Sequence, residues 1–188
     1  MKFEVERSGT TNTYAYCWQS AKRALAVASE QQPGYLYFSM MAGVFAAFTV
    51  EAFLNHLGKD ALKSWEDVER KLGVREKLLL LRDLRGWTID EGARPFQSLR
   101  DMLQLRDALA HGKTVTVVTS EVLDQQPPDE VGWPKPKWVE LASVASVQRF
   151  VDDAAAMVRH LGPLAGEAGD PLGSIGTGEG SVALIEAD

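Results

Sequence analysis

The chain has 188 residues, 45% hydrophobic and 24% charged, which suits one folded domain with a real core and excludes wholesale disorder. Its one cysteine, Cys17, permits neither an internal disulfide nor a cysteine-based zinc cluster and points to a reducing, cytoplasmic setting. The net charge of −6 argues against a broadly nucleic-acid-binding surface, yet residues 1–113 carry a net of +2 and residues 114–188 a net of −8.

Met1–Thr11 mixes charges of both signs and has no apolar run, so no signal peptide is expected. Asn12–Glu30 reads as a first helix, closed by Gln31-Gln32-Pro33-Gly34. Tyr35–Leu57 reads as a second, with Gly58 as its C-terminal cap. The uncharged part of that helix, Tyr35–Val50, is 16 residues long before Glu51, Asn55 and His56 intervene. A membrane span needs roughly 20 apolar residues, so a buried core helix and no membrane association are expected.

A short helix bearing Trp65 ends near Leu72, and Val74–Leu84 forms another, with Leu78–Leu81 too apolar for the surface. Across this region Arg70, Lys71, Arg75, Lys77, Arg82 and Arg85 read as a solvated helix face that can also present a local basic surface to an anion. Gly86 and Asp90-Glu91-Gly92 break the pattern. Pro95–Ala110 is the next helix, its apolar stripe at 99, 102/103, 106 and 109/110, with Gly112 as C-cap.

Thr114–Ser120 is β-branched and alternating, which predicts a strand, and Lys137–Leu141 is its expected pairing partner across a tip with four prolines. Trp133 and Trp138 flank that tip as a candidate partner surface. Ser143 or Ser146 is placed to cap a last helix reaching about Leu161, with Val147, Val151, Ala154, Val158 and Leu161 on one face. From Gly162 on, seven glycines and two prolines in 27 residues predict a flexible tail over 162–188. The expected fold class is all-α: a four- to five-helix bundle over residues 1–161, with a small β-hairpin insertion near 114–141.

The chemically informative segment is Leu105–Lys113, LRDALAHGK. Arg106 falls on the apolar stripe, and a guanidinium there needs a partner because it does not deprotonate. Glu51, the only charged residue between Tyr35 and Leu57, is the natural one. His111 follows five residues later, about 7.5 Å along the axis and about 140° around it, so the two side chains can flank one groove. His56 and His160 lie three or more residues from any other plausible ligand on their helices, so no metal site is expected. No glycine-rich phosphate loop or GxSxG elbow is present, and no cofactor is implied. Cys17 lacks a conspicuous base nearby and reads as a small buried hydrophobe.

An arginine, a polar residue and then a histidine four to six positions after the arginine, closing a core helix, form the hallmark of the HEPN superfamily of small helical bundles. Arg106, Asp107 and His111, followed by Gly112, resemble that pattern. The upstream VEAFLN, with Glu51 and Asn55, is similar to the acidic core helix of many members. The resemblance covers about residues 12–161, with the hairpin as a variable insertion. One departure is Asp107, where the family's active nucleases often carry asparagine.

What the resemblance implies is a homodimeric, metal-independent endoribonuclease, a toxin or defence component with a nucleotidyltransferase-type antitoxin as partner. In that reading Arg106, Asp107 and His111 are the catalytic set, Glu51 and Asn55 support it, and Lys113 adds a cation for phosphate. His111 handles the proton of the ribose 2′-hydroxyl or of the leaving 5′-oxygen, and Arg106 holds the phosphate. Asp107 orients His111 or a water, and the products are a 2′,3′-cyclic phosphate and a 5′-hydroxyl. The alternative is a non-catalytic HEPN-like interaction or nucleotide-binding module, in which Arg106 serves only as the structural partner of Glu51.

Overall fold

The computed structural model describes residues 2–120 and 134–186. Among them, seven helices follow one another: α1 (Thr13–Ser29), α2 (Tyr35–Ala61), α3 (Trp65–Val68), α4 (Val74–Arg85), α5 (Ser98–Ala110), α6 (Trp138–Leu141) and α7 (Val144–Ala165). Strands β1 (Lys2–Thr11) and β2 (Gly176–Glu186) form one antiparallel pair. The expected helical bundle with a small two-stranded sheet is therefore present, but the sheet lies elsewhere.

The bundle is organised around α2, which packs on α1, α4, α5 and α7. It buries Ala42, Ala46, Ala47, Val50, Phe53, Leu54 and Leu57, while α7 contributes Val147, Phe150, Val151, Ala154, Met157, Val158 and Leu161. By length and composition α2 could cross a membrane, but 44% of its most apolar window is buried against the rest of the chain. Burial of that kind is how a core helix satisfies an apolar sequence without lipid. α7 begins where expected: Ser143 is its N-cap, its hydroxyl accepting from the Ser146 N–H at 3.3 Å. It runs to Ala165, four residues past the expected end, and stops at Gly166, whose left-handed φ of 91° suits glycine.

Two glycines serve purposes that the pattern misreads. Gly58 does not cap α2; the helix continues to Ala61, and a Cβ at Gly58 would fall inside the Trp65 indole. Glycine is there to admit a ring that is fully buried against the helix. Gly112 lies beyond the end of α5 but is not left-handed; a Cβ there would collide with the Ala108 carbonyl.

The hairpin expected near 114–141 is not formed as read. Thr114–Ser120 lies outside any strand, and Lys137–Leu141 contains α6 instead, with Trp138 and Leu141 three residues apart and packed on the core. Helical spacing places both side chains half-buried on the same side, against the core. Residues 121–133, including the tip and Trp133, lie outside the described residues. The glycine-rich end also departs from expectation. Residues 162–165 complete α7, Pro171–Gly173 forms a 3-10 turn that buries Leu172, and Gly176–Glu186 is a strand. Its partner is Lys2–Thr11, in a register pairing Phe3 with Leu184, Val5 with Val182 and Glu6 with Ser181. The segment read as a flexible tail is thus held to the start of the chain by a ladder of backbone hydrogen bonds. Asn12 reinforces the junction, its side chain donating to the Ser174 carbonyl at 3.0 Å rather than capping α1.

Candidate functional site around Glu51 and Arg106

The C-terminal half of α5 crosses the middle of α2: a Cβ on Gly43 would lie 2.5 Å from Leu105 Cδ2, and Arg106 reaches Glu51. The buried stripe of α5 is Ser98, Leu99, Met102 and Leu105. It is rotated from the expected one, so Arg106 occupies the flank of the stripe rather than its centre. Its side chain is accordingly 22% exposed, as a cation beside apolar surface should be.

Arg106 Nη2 donates to Glu51 Oε2 at 3.2 Å, and Nη1 donates to Asp107 Oδ1 at 2.8 Å. The expected pairing of Glu51 with Arg106 is therefore observed, but Glu51 has a second partner. Lys77 Nζ donates to Glu51 Oε1 at 3.0 Å, and the Lys77 side chain is only 4% exposed. Glu51 is thus the shared anion of two cations from α4 and α5. Lys77 was read as part of a solvated face; its position three residues after Val74 and one before Leu78, both buried, was the available signal. The rest of that basic run is largely neutralised or dispersed. Arg75 pairs with Glu91 at 2.8 Å and Arg82 with Asp83 at 2.8 Å, while Arg70, Lys71 and Arg85 are exposed.

His111 is exposed at the C-cap of α5, its backbone N–H donating to the Asp107 carbonyl at 2.9 Å. Lys113, two residues further, is also exposed. Arg106, Asp107 and His111 thus share the last turn of α5, with Asp107 and His111 four residues apart on one face. Arg106 Nε is buried with no hydrogen-bond partner among the described residues.

Asn55 makes no hydrogen bond to this cluster. One turn beyond Glu51, it lines a pocket of about 330 Å³ with Tyr14, His56 and Lys59, and its Oδ1 is buried without a partner among the described residues. In that pocket His56 Nε2 lies 2.5 Å from Glu167 Oε1, a contact between α2 and the turn after α7 that the sequence does not announce. Burial first, and then the Glu167 charge, push the Tyr14 hydroxyl pKa above its ordinary value.

A further polar cluster escaped sequence reasoning. Asp153 on α7, 3% exposed, accepts from Arg94 Nη2 at 2.7 Å, from Arg94 Nε at 3.0 Å and from the Ser98 hydroxyl at 2.5 Å. It follows the buried Phe150 by three residues and precedes the buried Met157 by four, so its placement at a helix-facing position was legible but its partners were not. The hydrogen bond and charge of Asp153 push the Arg94 pKa further above its already high value.

Among the described residues, no group of three or more His, Cys, Asp or Glu side chains is placed to hold a metal ion. Compared with protein-family models, with curated proteins and with solved structures, the chain gives no match.

Proposed function

We propose that this chain is a HEPN-type, metal-independent endoribonuclease that acts as a cytoplasmic homodimer. The observation that carries the reading is the face of α2 on which Glu51 sits. Tyr37, Met41 and Phe48, spaced by four and seven residues, lie on one stripe that continues through Ala52 and Asn55 beside Glu51. These three side chains are 70%, 47% and 38% exposed, and Phe38 on the flank of the stripe is exposed as well. A stripe of large exposed apolar side chains on one helix face is costly in water and supports reading it as an interaction surface. An isologous pairing of two copies across it covers the face and brings both Arg106–His111 turns towards the two-fold axis.

In that dimer, one neutral His111 takes the proton from the ribose 2′-hydroxyl as its oxygen attacks phosphorus. The second copy's His111, protonated, gives a proton to the departing 5′-oxygen. The P–O5′ bond breaks as the P–O2′ bond forms, leaving a 2′,3′-cyclic phosphate and a 5′-hydroxyl. Arg106 stabilises the charge that develops on the phosphorane oxygens, with Glu51 fixing its orientation. Lys113 adds positive charge at the mouth. Asp107, exposed and bound to Arg106 Nη1, must yield that donor to the phosphate. A toxin or defence role, with a nucleotidyltransferase-type antitoxin encoded beside it, belongs to this reading and is tested by the neighbouring gene.

A second reading has its own observation. Both terminal nitrogens of Arg106 are already occupied by carboxylates, which is what a purely structural arginine in a non-catalytic module requires. One experiment separates the two. Purified protein is incubated with single-stranded RNA in EDTA, beside His111→Ala, while light scattering reports mass. The nuclease reading expects dimers, cleavage without metal, cyclic-phosphate ends and loss of cleavage in His111→Ala. Uncut RNA across varied sequences, or cleavage that survives His111→Ala, assigns the domain to the module.

A further inference from the structure

The ribbon of β1 and β2 stands apart from the bundle. Every residue from Phe3 to Thr11 and from Thr177 to Ile185 is exposed, so no helix covers either side of it. Its register sorts the side chains by face, because residues opposite one another point the same way. Phe3 opposite Leu184 and Val5 opposite Val182 make an apolar face, with each of the four side chains between 49% and 69% exposed. Glu4 opposite Ala183, Glu6 opposite Ser181 and Ser8 opposite Glu179 make an acidic one. A lone two-stranded ribbon is marginal in water, and further strands that extend its apolar face stabilise it. The two edges differ in how they receive such a strand. Free edges are normally guarded by charge, proline or a bulge. Glu4, Glu6 and Arg7 guard β1, whereas Gly180–Ile185 of β2 carries no charge and no proline. The one irregularity of the ladder lies beside Ile185, past the central Val182–Leu184.

We infer that the open edge of β2 is an interface between two copies of this chain, pairing antiparallel across a two-fold axis at Ala183 to give a four-stranded sheet in the order β1-β2-β2-β1. The inference stands apart from the nuclease reading and from the α2 face. Self-complementarity selects a second copy as the occupant. Centred on Ala183, the pairing sets Val182 against Leu184 of the second copy and Ala183 against its own equivalent. The paired run holds no charge, so no like charges meet, and the apolar faces of the two ribbons join on one side of the sheet. The same operation on β1 fails. Two-fold registers centred on Glu4 or Glu6 set each glutamate against itself, and one centred on Val5 sets Glu4 against Glu6. Together with an isologous α2 face, a second isologous contact builds assemblies larger than a dimer.

The test joins cross-linking with sedimentation equilibrium over a series of concentrations. In a Cys17→Ala background, Ala183→Cys or Glu4→Cys supplies the chain's one thiol. Facing residues of an antiparallel pair have Cα atoms about 4.5–5.5 Å apart, within reach of a disulfide. Position 4 of the two copies would be about 14 Å apart, three strand spacings, and out of reach. A mild oxidant is therefore expected to link most Ala183→Cys chains in pairs and to leave Glu4→Cys chains single. Ala183→Lys sets an ammonium beside Glu4 of its own ribbon, which keeps the ribbon intact, but against a second ammonium across the axis. It is expected to weaken this contact about tenfold or more and to halve the wild-type mass at intermediate concentrations. If positions 4 and 183 cross-link alike, if neither does, or if Ala183→Lys leaves the mass unchanged, β2 is not the interface. A dimer that survives Ala183→Lys and is lost in Met41→Asp is the α2 pairing alone, and it overturns the inference while upholding the proposed dimer. A wild type that stays monomeric throughout overturns both.

Discussion

Replacing Glu51 by alanine tests how the centre of the bundle is held. The carboxylate is 29% exposed and accepts from a Lys77 side chain that is 4% exposed and an Arg106 side chain that is 22% exposed. Arg106 keeps Asp107 when Glu51 is lost, whereas Lys77 keeps no ion-pair partner among the described residues. Breaking a buried pair from one side typically costs about 3–5 kcal/mol. Partial exposure of Glu51 screens part of this, so about 2–3 kcal/mol is expected. With a urea m-value of about 2 kcal/mol/M, the unfolding midpoint should fall by about 1–1.5 M at unchanged m. The diagnostic arm is Glu51→Ala combined with Lys77→Met, which replaces the stranded ammonium by an apolar chain of similar length. The double variant should recover about half of the loss, because an apolar group of the same shape costs little where an unpaired charge costs much. A midpoint for Glu51→Ala within about 0.3 M of wild type, or no recovery in the double variant, would refute the account of Glu51 as the shared counter-ion.

Gly58→Ala should destabilise by about 1–3 kcal/mol through collision with Trp65, although helix propensity alone predicts a gain of up to about 1 kcal/mol; thermal melts decide the sign. Arg94→Ala leaves the buried Asp153 with Ser98 alone, so the urea unfolding midpoint should fall, and an unchanged midpoint would show that the exposed Arg94 is screened by solvent. Asp107→Asn removes the carboxylate that competes with phosphate for Arg106; if the nuclease reading holds, cleavage should rise about two- to fivefold, matching an exposed pair worth about 0.5–1 kcal/mol. The pKa of Asp170 lies below the ordinary 3.8 chiefly because Arg159 hydrogen-bonds it, with Leu172 N–H adding to the effect. Its contribution is therefore present above pH 3.8 and lost as pH falls through the lowered folded value. Unfolding midpoints of wild type and Asp170→Asn should converge below that window, and parallel curves would contradict it.

Local pattern was enough for most of the helices. The punctuation at Gln31–Gly34, the stop at Gly86 and the cap at Ser143 act within one turn of chain, and a backbone that short answers to propensity and sterics alone. The Glu51–Arg106 pair was legible for a related reason: two charges, each stranded in an apolar helix, have few ways to be satisfied. What the sequence left undecided depends on partners distant along the chain. Neither end was read as a strand: 162–188 was read as a flexible glycine-rich tail, and only the tertiary structure brings segments 165 or more residues apart into register and turns that end into a paired strand. Gly58 reads as a cap until Trp65 is seen packed on it. Lys77 reads as surface until α4 turns it towards Glu51. Arg94, Ser98 and Asp153 meet only because the connection before α5 folds back on α7. Hydrophobic periodicity fixes which face of a helix turns inward, whereas the partner of a buried charge is fixed by the crossing of helices, which is a property of the whole packed core.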